Sequence, residues 1–178
     1  LEITEQRWLE TPYGDPSAAL SFGELAGQAV VFIARHGDPH LIAPHQINYR
    51  ANLSALKQVG VTDIIGVNAV GGIHADLGPA QVAIPDQIID YTYGREHTIF
   101  DGVVSDKLDH IDFTYPYNQM MRTELIRAAE SASLSVLKKA VYGATQGPRL
   151  ESAAEIQKLK RDGCDLVGMT GMPEAALA

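Results

Sequence analysis

From Ala29 to Met169 the chain alternates apolar runs of strand length with amphipathic stretches of helix length. That pattern constrains the fold most, because strands separated by helices join most simply as neighbours in a largely parallel sheet. Ala29–Ala34 and Ile64–Val67 read as buried strands, being continuous β-branched or aromatic runs. Val82–Ile84 and Ile88–Tyr91 read as short strands around Pro85, and Ala140–Ala144 and Leu166–Met169 as later ones. Helices are expected over 48–59, closed by Gly60, over 118–132, and from the capping box Ser152-Ala153-Ala154-Glu155 to Asp162. The expectation is an α/β fold with a mixed, largely parallel central sheet flanked by helices. No repeat, low-complexity tract or linker suggests a boundary, so residues 1–178 are expected to form a single domain.

Composition removes several functions. Fourteen Lys and Arg against 22 Asp and Glu give a net charge of −8, whereas a nonspecific nucleic-acid binder needs a basic face to displace counterions. No window approaches the ~20 apolar residues of a membrane helix, and the start shows no signal-peptide pattern. The single Cys164 cannot form an intrachain disulfide or a cysteine-rich zinc site. No nucleic-acid or membrane partner is expected, and the location expected is cytoplasmic.

In open α/β sheets ligands bind at the carboxyl ends of the strands. Those ends read Arg35-His36-Gly37, Asn68-Ala69-Val70-Gly71-Gly72 and Met169-Thr170-Gly171. A guanidinium fork, an imidazole, backbone N–H groups beside small residues and a hydroxyl are the parts of an oxyanion site. His36, His40 and His45 raise a metal reading, but Gly37 and Pro39 break any helix between the first two, and no His-Glu-x-x-His pattern follows. No metal is expected. Asp86 and Asp90 are expected to serve strand ends and turns rather than acid–base chemistry, and Asp109-His110-Ile111-Asp112 is a polar stretch that could cover a site. Phosphate-loop, dinucleotide and nucleophile-elbow patterns are missing, which disfavours ATPases, dehydrogenases and α/β-hydrolases.

Arg35-His36-Gly37 with His40, followed by Asn48-Tyr49-Arg50-Ala51-Asn52, resembles the first signature of the trimeric purine nucleoside and methylthioadenosine phosphorylases. The resemblance continues in order through Asn68–Gly72, Pro85–Asp90, Gln146-Gly147-Pro148-Arg149-Leu150-Glu151 and Val167–Glu174. Within that family, Thr145–Glu151 and Met169–Met172 are most similar to the S-methyl-5′-thioinosine branch.

The resemblance implies phosphorolysis: phosphate attacks the anomeric carbon of a ribosyl ring as a purine leaves, with inorganic phosphate as co-substrate and no cofactor. The expected reaction converts S-methyl-5′-thioinosine to hypoxanthine and 5-methylthioribose 1-phosphate, in purine and methylthio salvage. Alternatives are S-methyl-5′-thioadenosine, or inosine and guanosine, as substrates, a noncatalytic nucleoside-binding protein, or a metal-dependent hydrolase. By family position, Arg35, His36, Asn68, Ala69 and Thr170 would bind phosphate. Met169, His40, His110 and Leu150 would contact the nucleoside, and Glu151 would bear on substrate choice. His110 would reach a neighbouring subunit's site, implying a homotrimer. Relatives carry a Gly-rich phosphate loop upstream and a base-contacting Asp or Asn downstream. The expectation is therefore that the chain is incomplete at both ends, with the base-contacting group beyond Ala178, and inactive in this form alone.

Overall fold

The computed structural model describes residues 2–102 and 107–178. The chain divides into two compact units. One comprises Leu1–Gly66, Arg95–Asp109 and Leu177–Ala178, the other Val67–Gly94 and His110–Ala176. Together the units carry mixed sheets and helices, an α/β fold.

In the first unit, β1 (Glu2–Arg7), β2 (Leu20–Leu25) and β3 (Gln28–Phe32) form an antiparallel meander in the order β1-β2-β3. β2 and β3 are joined by Ala26 and Gly27 at φ 52° and 79°, the two positive values that a twist-matched two-residue hairpin turn demands. Helix α1 (Tyr49–Gln58) begins where the Asn48 side chain accepts the Ala51 N–H at 3.1 Å. It ends before Gly60, which adopts φ 82°. Ala55 and Leu56 of α1 pack on Leu20 of β2, with Phe22, Val31, Ile33 and Leu53 around them. The apolar spacing of α1 therefore meets the inward face of β2.

In the second unit, β4 (Gly71–Gly72), β6 (Gln87–Asp90), β8 (Val141–Ala144) and β9 (Leu166–Gly168) form a sheet in the order β4-β9-β8-β6. β6, β8 and β9 run parallel, and β4 pairs antiparallel with β9. β5 (Val82–Ala83) and β7 (Val136–Leu137) make a separate two-stranded parallel sheet. Helices α2 (Gln119–Ser131), α3 (Ala153–Arg161) and α4 (Gly171–Leu177) complete the unit, α4 being interrupted by extended backbone at Met172. Tyr142, Ala144, Leu166 and Met172 form one core cluster, and Leu159, Cys164 and Val167 a second. The carboxyl ends of β6, β8 and β9 consequently lead into Tyr91–Tyr93, Thr145–Glu151 and Met169-Thr170.

Two expectations change. Ala29–Ala34 is not a buried strand: β3 stops at Phe32, pairs only with β2 among the described strands, and leaves Phe32 55% exposed. Ile64–Val67 forms no strand, and Val67 is 81% exposed. An apolar run supplies a tendency to be buried, but a strand needs a ladder beside it, and no described strand pairs with this one. The antiparallel β1 and β2 were outside the predicted elements, although Leu20, Phe22 and the Ala26-Gly27 turn carry their signal.

Candidate functional site

Beyond β3, residues 34–42 fold into consecutive turns. Gly37 N–H donates to Ala34 O at 2.9 Å, and Leu41 and Ile42 N–H both donate to His36 O, at 3.0 and 2.9 Å. The His36 Nδ1 donates to Ile42 O at 2.8 Å. A carbonyl only accepts, so Nδ1 carries a proton and Nε2 is the ring position left for a ligand. The His36 ring stacks on that of His40, with centroids 4.3 Å apart and planes 12° from parallel. His36 and Arg35 are half-buried, while His40 and His45 are exposed, His45 on the 3-10 turn Pro44–Gln46. Among the described residues, no three His, Cys, Asp or Glu side chains converge as metal ligands do. The three histidines thus form a stacked pair and a separate surface residue.

Asn68 and Thr170 lie 102 residues apart, yet Thr170 Oγ1 donates to Asn68 Oδ1 at 2.8 Å. Thr170 follows β9 and is buried at 6% exposure, while Asn68 is half-buried and Ala69 exposed beside it. Met169, half-buried, packs against Gly147, which leaves no room there for a Cβ.

At the ends of β6 and β8 is a cavity of about 260 Å³, lined in part by Tyr91, Tyr93, Thr145, Gln146, Arg149 and Glu151. Glu155 and Lys158 of α3 complete its charged lining, so two cations face two carboxylates. Arg149 grips Glu155 with both terminal nitrogens, at 2.8 and 2.7 Å. This contact, with the Ser152 N–H, holds the Glu155 carboxyl down to about 2. Lys158 donates to Asp162 at 2.6 Å and lies 4.5 Å over the Tyr91 ring. Burial, then the hydrogen bond that Tyr91 donates to Asp162, pushes the Tyr91 hydroxyl well above its ordinary value, so it stays protonated. Tyr93 N–H donates to the Gln146 side chain at 3.1 Å, and Thr145 Oγ1 donates to Glu151 Oε1 at 2.7 Å.

Leu150 is exposed at the tip of this loop, and His110 is exposed in an irregular stretch. Beyond His110, Asp112 accepts the Thr114 N–H, and hydrogen bonds from Thr114 hold its carboxyl low. Asp86 accepts the Ala140 N–H and Asp90 the Thr92 N–H, the strand-end uses expected of them. Tyr91, Tyr93 and Arg149 had no assigned role from sequence. Their signal was position, since each lies within a few residues of a parallel strand's carboxyl end.

A largely parallel sheet with polar groups gathered at its carboxyl ends is the small-molecule site of an open α/β protein. The chain belongs to the phosphorylase superfamily, whose family model matches residues 2–178, and its relatives are purine nucleoside phosphorylases. It is 51% identical over 178 residues to a probable S-methyl-5′-thioinosine phosphorylase of Pseudomonas syringae pv. tomato, covering all of this chain and 72% of that protein. It is 42% identical over 181 residues to the 6-oxopurine nucleoside phosphorylase of Pyrococcus furiosus, covering 99% of this chain and 68% of that one. The methylthioadenosine phosphorylase of Schistosoma mansoni in complex with adenine superposes with a TM-score of 0.96 at 33% identity, over all of this chain and 71% of that structure. No helix among the described residues is long and apolar enough to cross a membrane.

Proposed function

We propose that the protein catalyses phosphorolysis of a purine 5′-methylthionucleoside, with S-methyl-5′-thioinosine as substrate and hypoxanthine and 5-methylthioribose 1-phosphate as products. The observation that carries this reading is the joining of Asn68 and Thr170 at the carboxyl end of β9, the strand-end hydroxyl and amide of an oxyanion cradle. Departure of a purine leaves oxocarbenium-like charge on the ribosyl ring, and a phosphate dianion held beneath it both attacks and stabilises that charge. Arg35 supplies a two-pronged grip on phosphate, and His36 presents Nε2. Asn68, Ala69 and Thr170 complete the phosphate ligands, Met169 contacts the ribose, and His40, Leu150 and His110 contact the nucleoside. The working enzyme is a homotrimer, located in the cytoplasm.

The cavity beside Thr145 supports a neutral heterocycle as its occupant. Its charged lining balances, and it offers aromatic walls with both donors and acceptors. Glu151 favours a 6-oxopurine, because such a base carries N1–H, a donor that a carboxylate accepts. A 6-aminopurine presents a bare N1 lone pair to the same group, which is repelled. Base release from S-methyl-5′-thioinosine, measured with and without inorganic phosphate, tests the reading. Release is expected only with phosphate, and equal release without it would make the protein a hydrolase.

A further inference from the structure

Two carboxylates line the cavity, and they are held differently. Glu155 is neutralised by Arg149. Glu151 has no ion pair among the described residues, and the hydrogen bond it accepts comes from Thr145. Thr145 is the first residue past β8. Its N–H donates to Gly168 O at 2.8 Å, extending the β8–β9 ladder by one step and fixing the backbone at that point. Its side chain is β-branched, so χ1 is stiff. Its hydroxyl lies 2.7 Å from Glu151 Oε1 and 3.3 Å from Gly168 O, so the proton is directed mainly to the carboxylate.

We infer that Thr145 is a positioning residue: it locks the Glu151 carboxylate in place as the acceptor that reads the base. This rests on the phosphorylase reading above and deepens it, by naming what aims the specificity group. A free glutamate side chain keeps rotamer freedom that binding a base would have to remove. Fixing Oε1 beforehand removes that cost and leaves Oε2 as the acceptor for a heterocyclic N–H. A hydroxyl serves here where a cation would not. It orients the carboxylate without neutralising it, so the group still attracts N1–H and repels a bare ring nitrogen.

The test uses Thr145→Val, which removes the hydroxyl at nearly constant volume, Thr145→Ser, which restores it, and Thr145→Ala should the valine variant not fold. Steady-state phosphorolysis by the complete polypeptide is measured with S-methyl-5′-thioinosine and S-methyl-5′-thioadenosine. Hypoxanthine binding is measured by calorimetry on the same proteins. Thr145→Val should lower kcat/KM for the 6-oxo substrate about tenfold to a hundredfold, through the nucleoside rather than the phosphate KM. It should narrow the preference over the 6-amino substrate, weaken hypoxanthine binding in parallel, and be rescued by Thr145→Ser. In a Glu151→Gln background the same change should add little, since the two residues act as one unit. An equal loss for both nucleosides, or an additive loss on top of Glu151→Gln, overturns the inference while leaving phosphorolysis standing. A wild type that releases no base with phosphate fails the functional reading. In that event Thr145 is judged on hypoxanthine affinity alone, and an unchanged or absent affinity overturns its role.

Discussion

Thr170 Oγ1 donates to Asn68 Oδ1 at 2.8 Å, joining the end of β9 to a segment 102 residues earlier. Each side chain restricts the other's rotamers, so the donors and acceptors at this strand end are set before a ligand arrives. Such preorganisation is what an oxyanion site needs, because the cost of ordering is met by folding rather than by binding.

Thr170→Val is expected to raise the phosphate KM about tenfold while leaving the nucleoside KM within about twofold, since the hydroxyl either turns its one proton from Asn68 to the anion or holds the Asn68 amide for it, and a hydrogen bond to a charged group contributes roughly 1.5–3 kcal/mol. Initial rates across a phosphate titration check this. An unchanged phosphate KM removes Thr170 from the phosphate ligands.

Arg35→Ala is expected to cost more. Losing a two-pronged, charge-assisted contact should weaken phosphate saturation by about 2–3 kcal/mol, roughly 30- to 150-fold, with a much smaller effect on the nucleoside. Arg35→Lys should recover only part of the loss, because an ammonium offers a point charge where the guanidinium offers a fork. Full recovery by lysine would show that charge alone suffices.

Much of the scaffold was legible because it is local. The capping box at Ser152 and Glu155 lies within four residues and appears as read, with Ser152 Oγ accepting the Glu155 N–H and the Glu155 carboxylate accepting the Ser152 N–H. Asn118 caps α2 in the same local way. Ile64–Val67 misled because its apolar character is local, whereas the ladder that makes a strand is not. The site divides along the same line. Thr170 was legible at the end of β9, whereas Asn68 was placed only by the Ile64–Val67 strand that does not form, and their contact spans the chain. The Thr145–Glu151 bond depends on how a seven-residue loop closes, which no periodicity encodes.

Glu155 provides a pH-dependent prediction. Its carboxyl is held down to about 2 from an ordinary 4.5, first by Arg149 and then by the Ser152 N–H. The unfolded chain takes up a proton near the ordinary value while the native chain resists it. This contribution to stability is therefore fully present above about pH 4.5 and is lost as pH falls through about 2. Glu155→Gln keeps a side-chain oxygen for the Ser152 N–H and removes the charge. Its urea midpoint should lie below that of the wild type at neutral pH, and the two should converge near pH 2. The pair is exposed, so added salt should also narrow the gap. A gap that persists at low pH would assign the loss to something other than the Arg149 pair.

The β2–β3 hairpin holds Ala26 at φ 52°. A left-handed residue with a Cβ costs about 1–2 kcal/mol, of which glycine's greater freedom in the unfolded chain would return about 0.5–1. Ala26→Gly should therefore stabilise the protein by about 0.5 kcal/mol, seen as a thermal midpoint raised by about 1–3 °C. Ala26→Val, β-branched in the same conformation, should lower it. Equal midpoints for the glycine and valine variants would show that the turn relaxes at no cost.

Gly168, the last residue of β9, lies where the sheet is closest to Tyr142 of the adjacent β8. A Cβ there would fall inside the Tyr142 hydroxyl oxygen's contact distance, 2.7 Å from Cζ and 3.0 Å from Val70 Cγ1. Tyr142 is 2% exposed and sits in the core cluster with Leu166 and Met172, so it has little room to move aside. Gly168→Ala should cost about 1–3 kcal/mol or more, as overpacking in a filled core does. The displacement should also reach Met169 and Thr170, which follow directly in the chain, and so raise the phosphate KM along with the loss of stability. Tyr142→Phe removes the oxygen that the new methyl meets. In the double variant, the cost should be smaller than the sum of the two single costs, measured by denaturant unfolding as a coupling of about 1 kcal/mol. Strict additivity would mean that the ring, rather than its hydroxyl, blocks the methyl.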